Sequence, residues 1–130
     1  MPLASSSLLL DVTLAGDRAV AVGERGHILV SDDYGGTWRQ VDSPTRTTLT
    51  AVHFTNPQNG WAVGHENVIL ATVDGGESWQ RQFPPGGIEE RYLDVHFIDE
   101  DRGFAVGAYG FVRYTTNGGV DWGTHYIFDE

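Results

Sequence analysis

Two residue types are missing from this chain of 130 residues: it has no cysteine and no lysine, so all eight of its basic side chains are arginine. Without cysteine there can be no disulfide and no thiolate metal site. Against those eight arginines stand 18 acidic residues, for a formal charge of −10. A surface of that sign repels phosphate backbones, which argues against nucleic acid as a partner. No run is long or apolar enough to cross a bilayer as a helix. Met1 to Leu10 holds small residues and leucines but no positive start, so it does not read as an intact signal peptide. A 3.6-residue apolar period is absent as well, which predicts little or no helix. What remains is 17 glycines, 40% apolar residues and no low-complexity tract, the composition of one globular domain large enough to bury a core.

The positive signal is a repeat. Ser31-Asp32-Asp33-Tyr34-Gly35-Gly36-Thr37-Trp38 returns as Thr72-Val73-Asp74-Gly75-Gly76-Glu77-Ser78-Trp79 and as Thr115-Thr116-Asn117-Gly118-Gly119-Val120-Asp121-Trp122. Its tryptophans are 79 − 38 = 41 and 122 − 79 = 43 residues apart. Val22-Gly23, Val63-Gly64 and Val106-Gly107 keep the same spacing, 41 and 43. Two anchors on one period of about 40 residues are the mark of propeller blades.

Each copy contains four short runs rich in Val, Ile, Phe, Trp and Tyr, bounded by turn residues. The first run is Leu9 to Leu14, Leu49 to Phe54 and Tyr92 to Phe97. The second is Ala19 to Val22, Trp61 to Val63 and Phe104 to Val106; the third is His27 to Val30, Val68 to Ala71 and Phe111 to Tyr114; the fourth begins at each tryptophan. The reading is an all-β chain, residues 1–130, of three four-stranded blades at about 9–42, 49–83 and 92–128. Gly26, Asn67 and Gly110 share a place in the second turn and are expected at positive φ. Pro84 to Glu90 reads as a loose spacer between blades in preference to a functional loop.

In the eight-residue unit, Asp33, Asp74 and Asn117 can accept bonds from the N–H groups of their own turn. The glycines supply backbone angles that a Cβ resists, and each tryptophan offers a large body to bury. The unit resembles the Asp-box of bacterial sialidases and related β-propellers, S-x-D-x-G-x-T-W. That resemblance implies a fold-holding turn built from Ser31, Asp33, Gly35, Thr37 and Trp38; from Thr72, Asp74, Gly76, Ser78 and Trp79; and from Thr115, Asn117, Gly119 and Trp122. The third copy carries Asn117 for the acid and Asp121 for the hydroxyl, and is expected to accept Asp at position 117.

The composite L-x-x-V-x-F, G-W-A-V-G, I-L-x-T-x-D-G-G-x-S-W runs almost unbroken from Leu49 to Trp79. It is similar to the photosystem II stability/assembly factor family of BNR/Asp-box propellers. The resemblance implies a non-catalytic protein-binding scaffold or assembly factor without cofactor, working outside the cytoplasm in a periplasm, a thylakoid lumen or a secreted setting. It departs from the family in number, since members carry more blades. The alternative is a carbohydrate-binding or sialidase-like propeller, for which Tyr34, Tyr109 and Tyr126 are the candidate contacts and Arg18, Arg25, Arg102 and Arg113 the candidate cations. No spacing among them marks a catalytic constellation, and no pattern marks a metal site; Asp99-Glu100-Asp101 lacks the alternating calcium-ligand spacing.

Two further expectations concern the faces of the blades. His53 and His96 fill one slot of the first strand, near Asp94 and, in the first copy, Asp11 and Thr13. These five form a candidate polar set between blades, with histidine bonded to Asp or Thr, in preference to a metal site or a pH switch around a channel. Propellers close with four to eight blades, so three leave two apolar ends, drawn from residues such as Val12, Leu14, Val95 and Phe97. A homo-oligomer, with two chains giving six blades, would cover them.

Overall fold

The computed structural model describes residues 7–126; the end of the third repeat, 127–128, lies outside the described residues. The described residues form twelve strands: β1 (Leu9–Ala15), β2 (Arg18–Gly23), β3 (Ile28–Ser31), β4 (Arg39–Val41), β5 (Leu49–Phe54), β6 (Gly60–Gly64), β7 (Ile69–Thr72), β8 (Gln80–Gln82), β9 (Tyr92–Phe97), β10 (Gly103–Gly107), β11 (Phe111–Thr115) and β12 (Gly123–Tyr126). They pair antiparallel, each with its chain neighbour, as three four-stranded sheets: β1 to β4, β5 to β8 and β9 to β12. Helix is confined, among the described residues, to 3-10 turns at Glu24–Gly26 and Ala108–Gly110.

The pairing explains the Val-Gly anchor. Gly23 closes the ladder opposite Leu9, and Gly64 does so opposite Leu49. A Cβ on Gly23 would lie 2.2 Å from the Leu8 carbonyl, and one on Gly64 2.0 Å from that of Thr48. The inner strand crosses so close that only glycine fits. The second turn takes positive φ at Gly26, Asn67 and Gly110, at +73°, 60° and +74°.

The sheets stack face on face, with β1 against β5 and β5 against β9. Strand alternation gives every sheet two faces. The front face of the second blade packs Val52, Phe54 and Trp79 on Val20, Val22 and Ile28 of the first. The front of the third packs Val95, Phe97 and Trp122 on Trp61, Val63 and Ile69 of the second. Two expectations are corrected here. Val95 and Phe97 do not lie on an open end but are buried in the second junction, because their side of β9 meets the preceding blade. Trp38, unlike Trp79 and Trp122, is 42% exposed: it lies on the front of the first blade, against which no other blade packs among the described residues.

Candidate functional site

The Asp-boxes are hydrogen-bonded turns closed on themselves. In the first, Asp33 Oδ1 accepts the Thr37 N–H at 2.8 Å, Asp33 Oδ2 accepts the Thr37 hydroxyl at 2.7 Å, and the Ser31 hydroxyl donates to Asp33 at 2.9 Å while accepting from Gly35 N–H at 2.8 Å. The second repeats this around Asp74, with Ser78 donating through its hydroxyl at 2.5 Å and its N–H at 3.0 Å, and Thr72 binding the Gly76 N–H. The bonds from Thr37 and Ser31 hold the Asp33 carboxyl at about 2, well below the usual carboxylate range. Positive φ falls on the residue pair after the acid: Tyr34 and Gly35, Gly75 and Gly76, Gly118 and Gly119.

In the third box Asn117 keeps the acceptor role toward the Thr115 hydroxyl and the Asp121 N–H, at 2.9 and 3.0 Å. Its amide then donates to Asp121 Oδ2 at 3.0 Å. The acid and the donor have exchanged places. This geometry argues against the expectation that Asn117 accepts replacement by Asp, since a second carboxylate would face Asp121.

The five residues of the candidate polar set line the inner strands. Asp11 of the first blade accepts the Val52 N–H of the second at 2.9 Å. His53 Nε2 lies 3.0 Å from the Phe97 carbonyl, and its ring stands 4.3 Å from that of His96, between second and third blades. Burial holds His53 below the ordinary histidine value, and neighbouring His96 adds to this. Asp94 accepts the N–H of its own neighbour Val95, and Thr13 is half-buried on β1. The histidine partner is a main-chain carbonyl and a second ring rather than Asp or Thr, because Nε2 reaches across to the next inner strand. Among the described residues no group of three or more His, Cys, Asp or Glu is placed to hold a metal ion.

The arginines do not converge. Arg113 is 2% exposed, with its guanidinium donating to the Tyr92 hydroxyl at 2.6 Å and to Thr124 and the Pro85 carbonyl, 3.5 Å from Glu90. Tyr92 in turn donates to Asn67 at 2.5 Å, and burial pushes its hydroxyl up to about 12 against the pull of Arg113. Asn67 Nδ2 donates to the Pro84 and Pro85 carbonyls, so the segment expected to be a loose spacer is pinned to the second junction. Sequence reasoning missed this cluster; the signal available was Asn67 standing where the other blades have glycine. Arg18 bridges Asp32 at 2.8 Å and Glu77 at 2.9 Å across the first junction, and Arg39 also pairs with Glu77. Arg102 binds Asp99 of its own turn at 2.8 Å, and Arg25 is exposed in the turn after β2. Tyr34 and Tyr126 are exposed; the Tyr109 side chain lies outside what is described.

Residues 31–86 match the family model described as photosynthesis system II assembly factor YCF48. The chain is 35% identical over 82 residues to the chloroplastic photosystem II stability/assembly factor HCF136 of Cyanidioschyzon merolae, an alignment over 58% of this chain and 19% of the relative. It is 41% identical over 58 residues to the photosystem II assembly protein Ycf48 of a Synechococcus strain, over 43% of this chain and 17% of the relative. A Synechocystis relative, 33% identical over 41% of this chain and 16% of its own length, is a photosystem II assembly lipoprotein. The chain thus spans about a fifth of the length of the curated relatives it matches.

Among solved structures, YCF48 bound to a D1 peptide superposes with a TM-score of 0.82 at 20% identity, over 95% of this chain and 42% of that one. YCF48 from Cyanidioschyzon merolae gives 0.79 at 25% identity, over 97% and 43%. An ancestral GH74 enzyme gives 0.71 at 16% identity over 88% of this chain and 18% of that one, a likeness of fold. The three sheets are propeller blades, and over part of its length the chain is similar to the photosystem II stability/assembly factors.

Proposed function

We propose that this relative of the photosystem II stability/assembly factors is a non-catalytic propeller module that holds a protein partner during assembly of a larger complex. The observation that carries the reading is the stretch from Leu49 to Trp79, in which the composite repeat stands almost complete, inside the segment that matches the assembly-factor family. The placement of the polar side chains agrees. The box carboxylates are spent on their own turns, and of the candidate arginines Arg113 is buried in a blade junction while Arg18 and Arg102 are paired with carboxylates. One structural neighbour was solved with a D1 peptide, and a protein segment is the ligand class proposed here too. Work outside the cytoplasm is part of this proposal, supported by one similar protein being a lipoprotein and another chloroplastic.

The test immobilises the chain and offers it solubilised photosystem II core subunits on one side and a glycan array on the other. Retention of a photosystem II subunit supports the scaffold reading. Saturable glycan binding, or turnover of a glycoside, would replace it with the carbohydrate reading.

A further inference from the structure

The ionic rim of the first junction has no counterpart at the second. Arg18, Asp32, Arg39 and Glu77 meet there, with Arg18 2.8 Å from Asp32 and 2.9 Å from Glu77. The strand registers and the boxes put Asn59, Val73, Gln80 and Val120 at the same places one blade on. No charge is left among them. Val73 is 75% exposed and Val120 74%. Because one arginine spans Asp32 and Glu77, the two valines at those positions face each other across Asn59. An exposed aliphatic pair gains nothing from water and becomes favourable only when something buries it.

Where the rim is missing, a groove of about 500 Å³ runs between β8 and the third box. All four replacements line it, together with Ala71 and the buried Trp61. The first junction has an outer groove too, of about 520 Å³, but Arg39 and Glu77 stand in its wall and are paired with each other. Glu100 and Asp101 also line the groove of the second junction. Their carboxylates enter no ion pair among the described residues, since Arg102 is held by Asp99. Arg81 is the cation in the lining, 5.7 Å from the centroid of the Phe83 ring. Two carboxylates against one guanidinium, in a chain of formal charge −10, favour a cationic ligand. The strand β8 is the outer one of its sheet and pairs with β7 alone, so its other edge can take an extended segment by main-chain bonds.

We propose that this groove holds an extended segment of the protein partner, with an aliphatic side chain seated between Val73 and Val120 and a lysine or arginine beside it against Glu100 and Asp101. The inference rests on the scaffold reading and names the chemistry of the segment that the scaffold takes. Both walls belong to adjacent blades of this chain, so no further blade is needed to complete the site.

An array of short peptides tests it, in which an aliphatic or a serine residue is combined with lysine, serine or glutamate. The chain is expected to retain the aliphatic–lysine peptides and to bind about tenfold or more weakly when either residue is replaced. Asn59→Arg, Val73→Asp, Gln80→Arg and Val120→Glu together rebuild at the second junction the rim that the first already carries. This variant is expected to melt no lower than the parent and to weaken binding by about tenfold or more. Glu100→Lys with Asp101→Lys, confined to an exposed turn, is expected to switch the preference from lysine to glutamate, and it decides the matter should the rim variant fold poorly. Arg39→Gln, at the first junction, is expected to leave binding unchanged. A folded rim variant that binds like the parent, a preference that does not switch, or an array on which no peptide is retained overturns the proposal. Undiminished retention of a photosystem II subunit by the rim variant overturns the groove alone and leaves the scaffold reading standing, whereas saturable glycan binding in place of peptide binding overturns both.

Discussion

The first and third blades share a strand plan, a turn plan and a period, yet they are held to the middle blade by different chemistry. The first offers its rear, where Val20, Val22 and Ile28 make an aliphatic floor and Arg18, Asp32, Glu77 and Arg39 make an ionic rim. The third offers its front, where Phe97 stacks on Trp61 with ring centroids 3.4 Å apart, Trp122 meets Phe97 edge-on, and the Arg113–Tyr92–Asn67 chain lies buried. Exposed ion pairs each add on the order of 0.2–1 kcal/mol, whereas an aromatic pair adds about 0.5–1.5 kcal/mol beyond its buried area, and removing a partner of a buried guanidinium costs more than removing an exposed charge. A repeat therefore fixes where a junction lies, while the side chains placed there decide how strongly it holds.

The largest expected difference between the two junctions comes from Trp61→Ala, which empties the stack and leaves a cavity beside Phe97. Its expected cost is about 3–5 kcal/mol, read by urea denaturation; a loss under 1 kcal/mol would show that the stack is not what binds the third blade. Tyr92→Phe removes a hydroxyl that accepts from Arg113 and donates to Asn67. It is expected to cost about 1–3 kcal/mol, with faster hydrogen exchange along Pro84 to Glu90, the segment the cluster pins. Unchanged exchange there would separate the loop from the cluster.

The boxes extend the comparison. Asn117→Asp in the third blade sets a carboxylate against Asp121 and is expected to destabilise by about 1 kcal/mol at neutral pH. Adding Asp121→Ser rebuilds the arrangement around Asp74 and is expected to restore the melting temperature; additive losses in the double variant would contradict the exchange of roles. The smallest effect is in pH. The Asp33 carboxyl sits at about 2 in the fold against an ordinary 3.8. A depressed value stabilises the fold above the unfolded value and loses that contribution as pH falls from about 4 towards 2. Melting curves of the parent and Asp33→Asn are expected to converge over that interval, and a constant gap between them would contradict the assignment.

Much of this was legible in the sequence for physical reasons. Alternation and turn residues mark strands locally, and a period of about 40 residues repeats the signal three times, so the sheets at Leu9–Val41, Leu49–Gln82 and Tyr92–Tyr126 follow the runs read from it. The family resemblance was carried by the residues from Leu49 to Trp79, which fall within the matched segment. Which face of a strand meets which blade was not legible. Val12 and Val95 are the same residue at the same register, and only the order in which blades stack leaves one open and buries the other. The Arg113 cluster was hidden because its members come from four separate stretches of chain. The swap at Asn117 and Asp121 was visible as two departures from the box pattern, but not as a compensating pair until the 3.0 Å bond between them was seen.

The central claim is that the repeated box is a structural turn and not a binding or catalytic site. Thermal denaturation of Asp74→Ala, run beside retention of the proposed protein partner, tests it most directly. Asp74 accepts the N–H and hydroxyl of Ser78 and the hydroxyl of Thr72, so the account predicts a loss of about 1–3 kcal/mol, with the partner still retained below the lowered melting temperature. A variant that melts like the parent and no longer retains the partner would contradict it.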